Sequence, residues 1–145
     1  MKKYDPKVTP WQINEQDFPR DEDSTEKLKF LLRYAILAPS SHNTQPWKFS
    51  IGEDEIRIFV DKTRWLKVAD YDQRELHVSI GCALENLLIA AEHFGYTHQV
   101  TYFPEPSNEE LAAVVRFTPR EQTSAFRSMA QFVAIIVRHT NRQAY

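Results

Sequence analysis

Between Tyr71 and Phe94 the sequence carries Leu76, Ile80, Ala83, Leu84, Leu87, Leu88 and Ala91 at intervals of three and four, and it then meets Gly95. Residues at that spacing share a helix face, so the stretch predicts a helix. Gly95 supplies the left-handed residue with which helices commonly end. The apolar positions cover much of the circumference rather than one narrow stripe, which predicts a helix buried at the centre of the fold. A chain of 145 residues that contains such a helix has to wrap its remaining elements around it. One compact domain is the expectation.

The other elements read as that wrapping. Asp23 followed by Glu26 has the spacing of a capping box with Asp as the cap, so a helix is expected to begin there and run to Pro39. Leu28, Leu31, Leu32, Ala35 and Ile36 form its expected apolar face. Trp47 to Ile51 and Ile56 to Val60 alternate apolar with polar residues around Gly52-Glu-Asp-Glu, the pattern of a β-hairpin. Gln99 to Phe103 and Leu111 to Thr118 are further strand candidates. Ser124 to Val137 places Phe126, Met129, Ala130, Val133, Ile136 and Val137 at helical spacing. Residues 1–22 are rich in proline and charge, and Trp11, Ile13 and Phe18 fit neither period, so they read as an extended arm pinned to the body or to a partner chain by its aromatics. The organisation expected is therefore an arm over 1–22, a domain over 23–137 and a short tail over 138–145.

The segment from Ala38 to Trp47, Ala-Pro-Ser-Ser-His-Asn-Thr-Gln-Pro-Trp, carries the chemistry. Pro39 stops the preceding helix and Pro46 launches an extended strand, because each fixes its own φ and restricts the residue before it. Between them Ser40, Ser41, His42, Asn43, Thr44 and Gln45 offer groups that donate and accept hydrogen bonds. Such a set suits a planar heterocycle with alternating carbonyl and N–H edges. It implies no acid, base or metal set by itself.

Charge and composition narrow the partners. A net charge of −2 with no basic run leaves no footprint for nucleic acid or an anionic membrane surface. A single cysteine, Cys82, excludes a disulfide framework and reads as a small hydrophobe in a helix. The five histidines show no i, i+4 metal pairing. No apolar run reaches membrane length and the first residues lack an apolar core segment, so the simplest expectation is a cytoplasmic protein.

The run from Ala38 through Trp47-Lys-Phe resembles the flavin-binding loop of the nitroreductase family, and the version with His42 and Thr44 is similar to its twin-domain branch. The likeness continues through Asp61-Lys-Thr-Arg64-Trp-Leu, Asp70, Arg74-Glu75 and Gly81-Cys-Ala-Leu-Glu-Asn86-Leu to Arg138-His-Thr-Asn-Arg142. The resemblance implies an α+β fold, a mostly antiparallel sheet flanked by helices around a central buried helix. It implies an FMN-dependent oxidoreductase that passes electrons from NAD(P)H to a nitroaromatic, a quinone or a similar small-molecule acceptor. Pro39, Ser40, Ser41, Asn43 and Gln45 would then bind the flavin ring. No side chain would need to act as a catalytic acid or base.

In the family a motif like Arg138-His-Thr140-Asn-Arg142-Gln-Ala-Tyr145 opens the chain and binds the flavin phosphate; here it closes it. Two guanidinium groups and a hydroxyl suit a phosphate monoester. The resemblance thus implies that Arg138, Thr140 and Arg142 begin a second repeat, and that the protein works as a homodimer or an internal twin. The other reading is a basic helix C-terminus favoured by the dipole. A non-catalytic flavin-binding or flavin-sequestering protein stands beside the enzyme, because Pro104-Glu-Pro-Ser only loosely echoes the segment that lines flavin N5 in many family enzymes. Asp61 with Arg64, and Asp70 with Arg74, read as structural ion pairs. Gly81 implies close approach of another helix or of the flavin, and Trp47 an anchor. His42 could face solvent, touch the ring or gate acceptor access.

Overall fold

The computed structural model describes residue 10, residues 12–120 and residues 129–138. Its elements are α1 (Ser24–Ala35), β1 (Trp47–Ile51), β2 (Glu55–Val60), α2 (Arg74–His93), β3 (Tyr96–Tyr102), β4 (Leu111–Pro119) and α3 (Met129–Val137). The strands form one antiparallel sheet in the order β1-β2-β4-β3. The hairpin expected at Gly52 pairs Trp47 with Val60 and Ile51 with Ile56. β2 turns Ile56, Ile58 and Val60 inward, and β4, central in the sheet, buries Leu111 through Val115 as a continuous apolar run. α2 packs against α1, the sheet and α3, as a central helix should.

Local signals placed the helix ends. The Asp23 carboxylate accepts the Glu26 N–H at 2.9 Å and so caps α1. Gly95 sits at φ +85 after the last turn of α2, in the region that glycine enters without steric cost. α2 starts at Arg74 rather than Tyr71, because the chain passes through the left-handed region at Gln73 (φ 61) before it coils.

The faces of two helices differ from expectation. In α1 the buried residues are Leu28, Phe30, Leu31, Tyr34 and Ala35, whereas Leu32 is half-buried and Ile36 is 37% exposed. Phe30 and Tyr34 turn inward because they join Phe18, Phe94 and Phe132 in one aromatic cluster, and rings bury more area per residue than the aliphatic pair. Phe18 stacks on Phe94 at 4.4 Å, which pins the end of the N-terminal arm after a short 3₁₀ turn at Glu15–Asp17. Trp11 lies outside the described residues.

In α3 the buried side chains are Phe132 and Ile135, while Met129, Val133 and Val137, expected to face the core, are exposed. Phe132 sets that orientation by stacking on the His93 ring at 3.6 Å and meeting Tyr34 at 5.0 Å. Phe126 and the expected start of this helix lie outside the described residues. At Gly81 a Cβ would meet nothing within 4 Å, so among the described residues no helix makes the close approach expected there. No helix among the described residues is long and apolar enough to cross a membrane.

Candidate functional site

α1 ends at Ala35, four residues short of the expected Pro39, because the chain tightens into two turn hydrogen bonds, Leu37 N–H to Tyr34 O and Ala38 N–H to Ala35 O, each 3.1 Å, before it enters the polar loop. Ser41–Asn43 makes one 3₁₀ turn, closed by Asn43 N–H to Ser40 O at 2.9 Å and Thr44 N–H to Ser41 O at 3.0 Å. Three residues here are left-handed: His42 at φ 50, Asn43 at φ 56 and Gln45 at φ 50. Asn tolerates that region best, and each of the others costs about 1 kcal/mol or more, so the surroundings have to hold the conformation.

They hold it from three sides. Inside the loop, Ser40 Oγ accepts the Gln45 N–H at 2.9 Å, and Gln45 Nε2 donates to Asn43 Oδ1 at 3.3 Å. From α2, buried Ser79 accepts the Ser41 N–H at 3.3 Å and donates its own hydroxyl hydrogen to Glu75 O at 2.8 Å. From the segment after β2, Arg64 Nη1 donates to Thr44 O at 3.0 Å and Gln45 O at 3.5 Å, and Asp61 N–H donates to Pro46 O at 2.8 Å.

Asp61 organises that third side. Its side chain is 9% exposed, and its carboxylate lies 3.1 Å from Lys48 Nζ and 3.5 Å from Arg64 Nε and accepts both the Thr63 hydroxyl (2.6 Å) and the Thr63 N–H (3.1 Å). The Thr63 hydroxyl first, and then Lys48, hold its carboxyl below the usual aspartate range. The expected pair with Arg64 is therefore present. The expected pair of Asp70 with Arg74 gives way to a cap: Asp70 Oδ1 accepts the Glu75 N–H at 2.9 Å and Oδ2 the Leu76 N–H at 2.8 Å. Those N–H groups are among the open donors of the first turn of α2, and a carboxylate is favoured there by the helix dipole as well.

Of the expected site residues, Pro39 and Asn43 are exposed, and Ser40, Ser41 and Gln45 are half-buried. The fold gathers these five into one loop and adds Arg138, which stands at the end of α3 and donates from Nη2 to Leu37 O at 2.9 Å, two residues before Pro39. Thr140 and Arg142 lie outside the described residues. Ser40 is largely spent on the loop itself. Asn43 and Gln45 share one bond, which leaves each amide with further donors or acceptors.

Sequence reasoning missed Ser79 and the carbonyl contacts of Arg64. Ser79 had a signal, since it stands three residues after Leu76 and four before Ala83, on the apolar face, where a hydroxyl needs a buried partner. Arg64 had none, because its acceptors lie 19 and 20 residues away. Among the described residues no group of three or more His, Cys, Asp or Glu could hold a metal ion.

Known proteins resemble this chain in sequence and in fold. A family model described as "Putative TM nitroreductase" matches residues 14–91, more than half of the chain, and spans the loop, the strap from Asp61 to Asp70 and most of α2. "Putative NAD(P)H nitroreductase Rv3131" of Mycobacterium tuberculosis is 33% identical over 120 residues, which is 83% of this chain and 34% of that protein. "Probable NAD(P)H nitroreductase PigM" of Serratia sp. is 32% identical over 126 residues, 83% of this chain and 34% of that protein. The chain thus spans about a third of the length of these curated relatives.

Among solved structures, a protein of Parabacteroides distasonis described as "Putative NADH dehydrogenase/NAD(P)H nitroreductase" superposes with a TM-score of 0.57 at 20% identity, covering 76% of this chain and 83% of that one. A nitroreductase of Desulfovibrio desulfuricans, described as putative and solved in complex with FMN, superposes with a TM-score of 0.55 at 19% identity, covering 77% and 84%. At these identities the two structures speak to the fold, an α+β arrangement of helices on an antiparallel sheet. The family match over the loop and the central helix, joined to the relatives and the shared fold, shows that this chain belongs to the nitroreductase family.

Proposed function

We propose that the chain supplies one wall of an FMN site in an NAD(P)H-dependent oxidoreductase whose electrons pass to a nitroaromatic, a quinone or a similar small acceptor. The observation that carries this reading is the loop, which is strained at three residues yet tied down from three sides while Asn43 and Gln45 keep amide groups for a ligand. Such an investment in geometry is characteristic of a preorganised binding edge. The FMN-bound relative of the same fold supports the cofactor, and the names of the sequence relatives support the nicotinamide donor.

The donor set fits a flavin. Residues 39–45 hold neutral donors and acceptors and no carboxylate, so an electron-rich ring meets no like charge there. When bound, FMN supplies the two-electron chemistry between NAD(P)H and the acceptor. The chain's own residues bind and orient: the Asn43 and Gln45 amides and the Ser41 hydroxyl take the ring edge, Ser40 and Ser79 hold the loop that presents them, and Pro39 sets its entry. Arg138, with Thr140 and Arg142, is assigned to the phosphate. The remaining walls would come from a second copy or a second repeat, which agrees with relatives more than twice as long. The single cysteine suits the reducing cytoplasm.

The test is an FMN titration of the chain followed by anaerobic addition of NADH or NADPH. Asn43→Gly with Gln45→Ala removes both amides, and glycine accepts the left-handed backbone at 43. Two lost hydrogen bonds should weaken FMN about tenfold or more with the melting temperature nearly unchanged. Unchanged affinity would remove the loop from the site. Binding without bleaching by either nucleotide would replace the enzyme with a flavin-sequestering protein.

A further inference from the structure

His93, the last residue of α2, brings a nitrogen-bearing ring into the aromatic cluster at that end of the helix. Its side chain is 14% exposed, and Nε2 lies 3.1 Å from Glu15 Oε1 on the 3₁₀ turn of the arm. An ionised carboxylate only accepts, so Nε2 carries the hydrogen. The same ring stacks on Phe132 of α3 with centroids 3.6 Å apart and planes 7° from parallel, and it meets Phe94 edge-on at 5.0 Å.

Phe132 begins a stripe that ends at the candidate site. Phe132 and Ile135 are buried and Arg138 follows at the same interval of three, so the three share the inward side of α3. Arg138 N–H donates to Ala134 O at 3.0 Å, which carries the helical turn up to it, and Nη2 reaches Leu37 O at 2.9 Å beside Pro39. At about 1.5 Å of rise per residue, Arg138 stands about 9 Å along the axis from Phe132. We propose that His93 is a positioning residue for the phosphate end of the flavin site: locked by Glu15, it fixes Phe132, and through the rigid α3 it places Arg138 for a phosphate monoester. This rests on the reading of Arg138 as a phosphate ligand.

The choice of histidine carries the argument. An apolar ring at position 93 would bury as well, but burial is non-directional and leaves the rotation of the stacked pair unset. The Glu15 bond supplies a direction, and it comes from outside the packed core, since Glu15 is exposed. A helix passes a shift at Phe132 on to Arg138, and a guanidinium bonds phosphate through a planar fork that tolerates little misalignment. Contacts to the flavin ring depend less on this path, because Ser79 and Arg64 hold the loop from other sides.

Titration of the full chain with FMN and with riboflavin, which has the same ring and side chain without the phosphate, separates positioning from packing. The wild-type chain should bind FMN about tenfold or more tightly than riboflavin, and Arg138→Gln should shrink that preference to about threefold or less. His93→Ala and Phe132→Leu should each weaken FMN about fivefold or more while riboflavin affinity stays within about twofold, and His93→Ala added to Arg138→Gln should change the preference no further. Glu15→Ala leaves the core intact, so its melting temperature should barely move, yet it should weaken FMN alone by about threefold. Val133→Ala on the exposed side of α3 should alter neither flavin. Equal loss of both flavins in His93→Ala, Phe132→Leu and Glu15→Ala, or an unchanged preference in all three, would overturn the inference and leave the flavin reading standing. A wild-type chain that binds neither flavin would overturn that reading, and one without preference for FMN the phosphate assignment; each takes the role of His93 with it.

Discussion

At its C-terminal end α2 closes on rings. Phe94 meets Phe18 at 4.4 Å, Phe30 at 5.5 Å, Tyr34 at 5.7 Å and Phe132 at 5.8 Å. Tyr34 is so enclosed that burial pushes its phenol up to about 12, and its hydroxyl finds no partner among the described residues. At the N-terminal end the same helix is held by directed hydrogen bonds: Asp70 on the Glu75 and Leu76 N–H groups, Ser79 on Ser41, and the Trp65 indole N–H on Asp70 O at 2.6 Å. Ring burial is non-directional and large, so it decides whether the helix is packed at all. The polar end contributes less energy but fixes angles, and the polar loop from Pro39 to Gln45 depends on those angles. One helix thus joins an end that mainly stabilises to an end that mainly positions.

The contrast can be broken most forcibly at the rings. Phe30→Ala should lower the unfolding free energy by about 3–5 kcal/mol in chemical denaturation, through lost burial and the cavity left behind. Its folded fraction should bind FMN with near-normal affinity, since the ring contacts of Phe30 are with Phe18, Tyr34 and Phe94, outside the loop. Asp70→Ala comes next, with about 1–2 kcal/mol lost as two helix N–H groups lose their acceptor. FMN affinity should fall as well, because the first turn of α2 carries Ser79. Ser79→Ala should cost least in stability, about 1 kcal/mol or less, yet weaken FMN severalfold by freeing the Ser41 N–H. If Ser79→Ala changed stability alone and left FMN affinity intact, the two ends of α2 would not differ in role.

Much of the fold was legible because its cues are local. Asp23 and Gly95 mark helix ends through groups within a few residues of each other, and the hairpin follows from alternation around one turn. The inward faces of α1 and α3 were not legible. Both helices carry apolar residues on more than one stripe, and periodicity cannot rank Phe30 and Tyr34 against Leu32 and Ile36, or Phe132 and Ile135 against Met129 and Val133. The ranking came from Phe18, Phe94 and His93, which lie far along the chain. Asp70 was visible as a charge before a helix, but its role as a cap rather than an ion pair depended on the left-handed step at Gln73.

The candidate site divides in the same way. Two prolines around a run of small polar residues already mark a stiff hydrogen-bonding loop, and the central helix already appears as an unbroken apolar pattern, because φ restriction and helical periodicity act within one or a few turns of the chain. By itself, then, the sequence determined the main elements, the cap at Asp23, the stop at Gly95 and the place of the polar loop. The tertiary structure decided how that loop is held, by Ser79 from 38 residues away and by Arg64 from 20 residues away, and it laid the Phe132 ring on His93. Hydrogen bonds and ring contacts of that kind join positions that only packing brings together, so no local pattern encodes them.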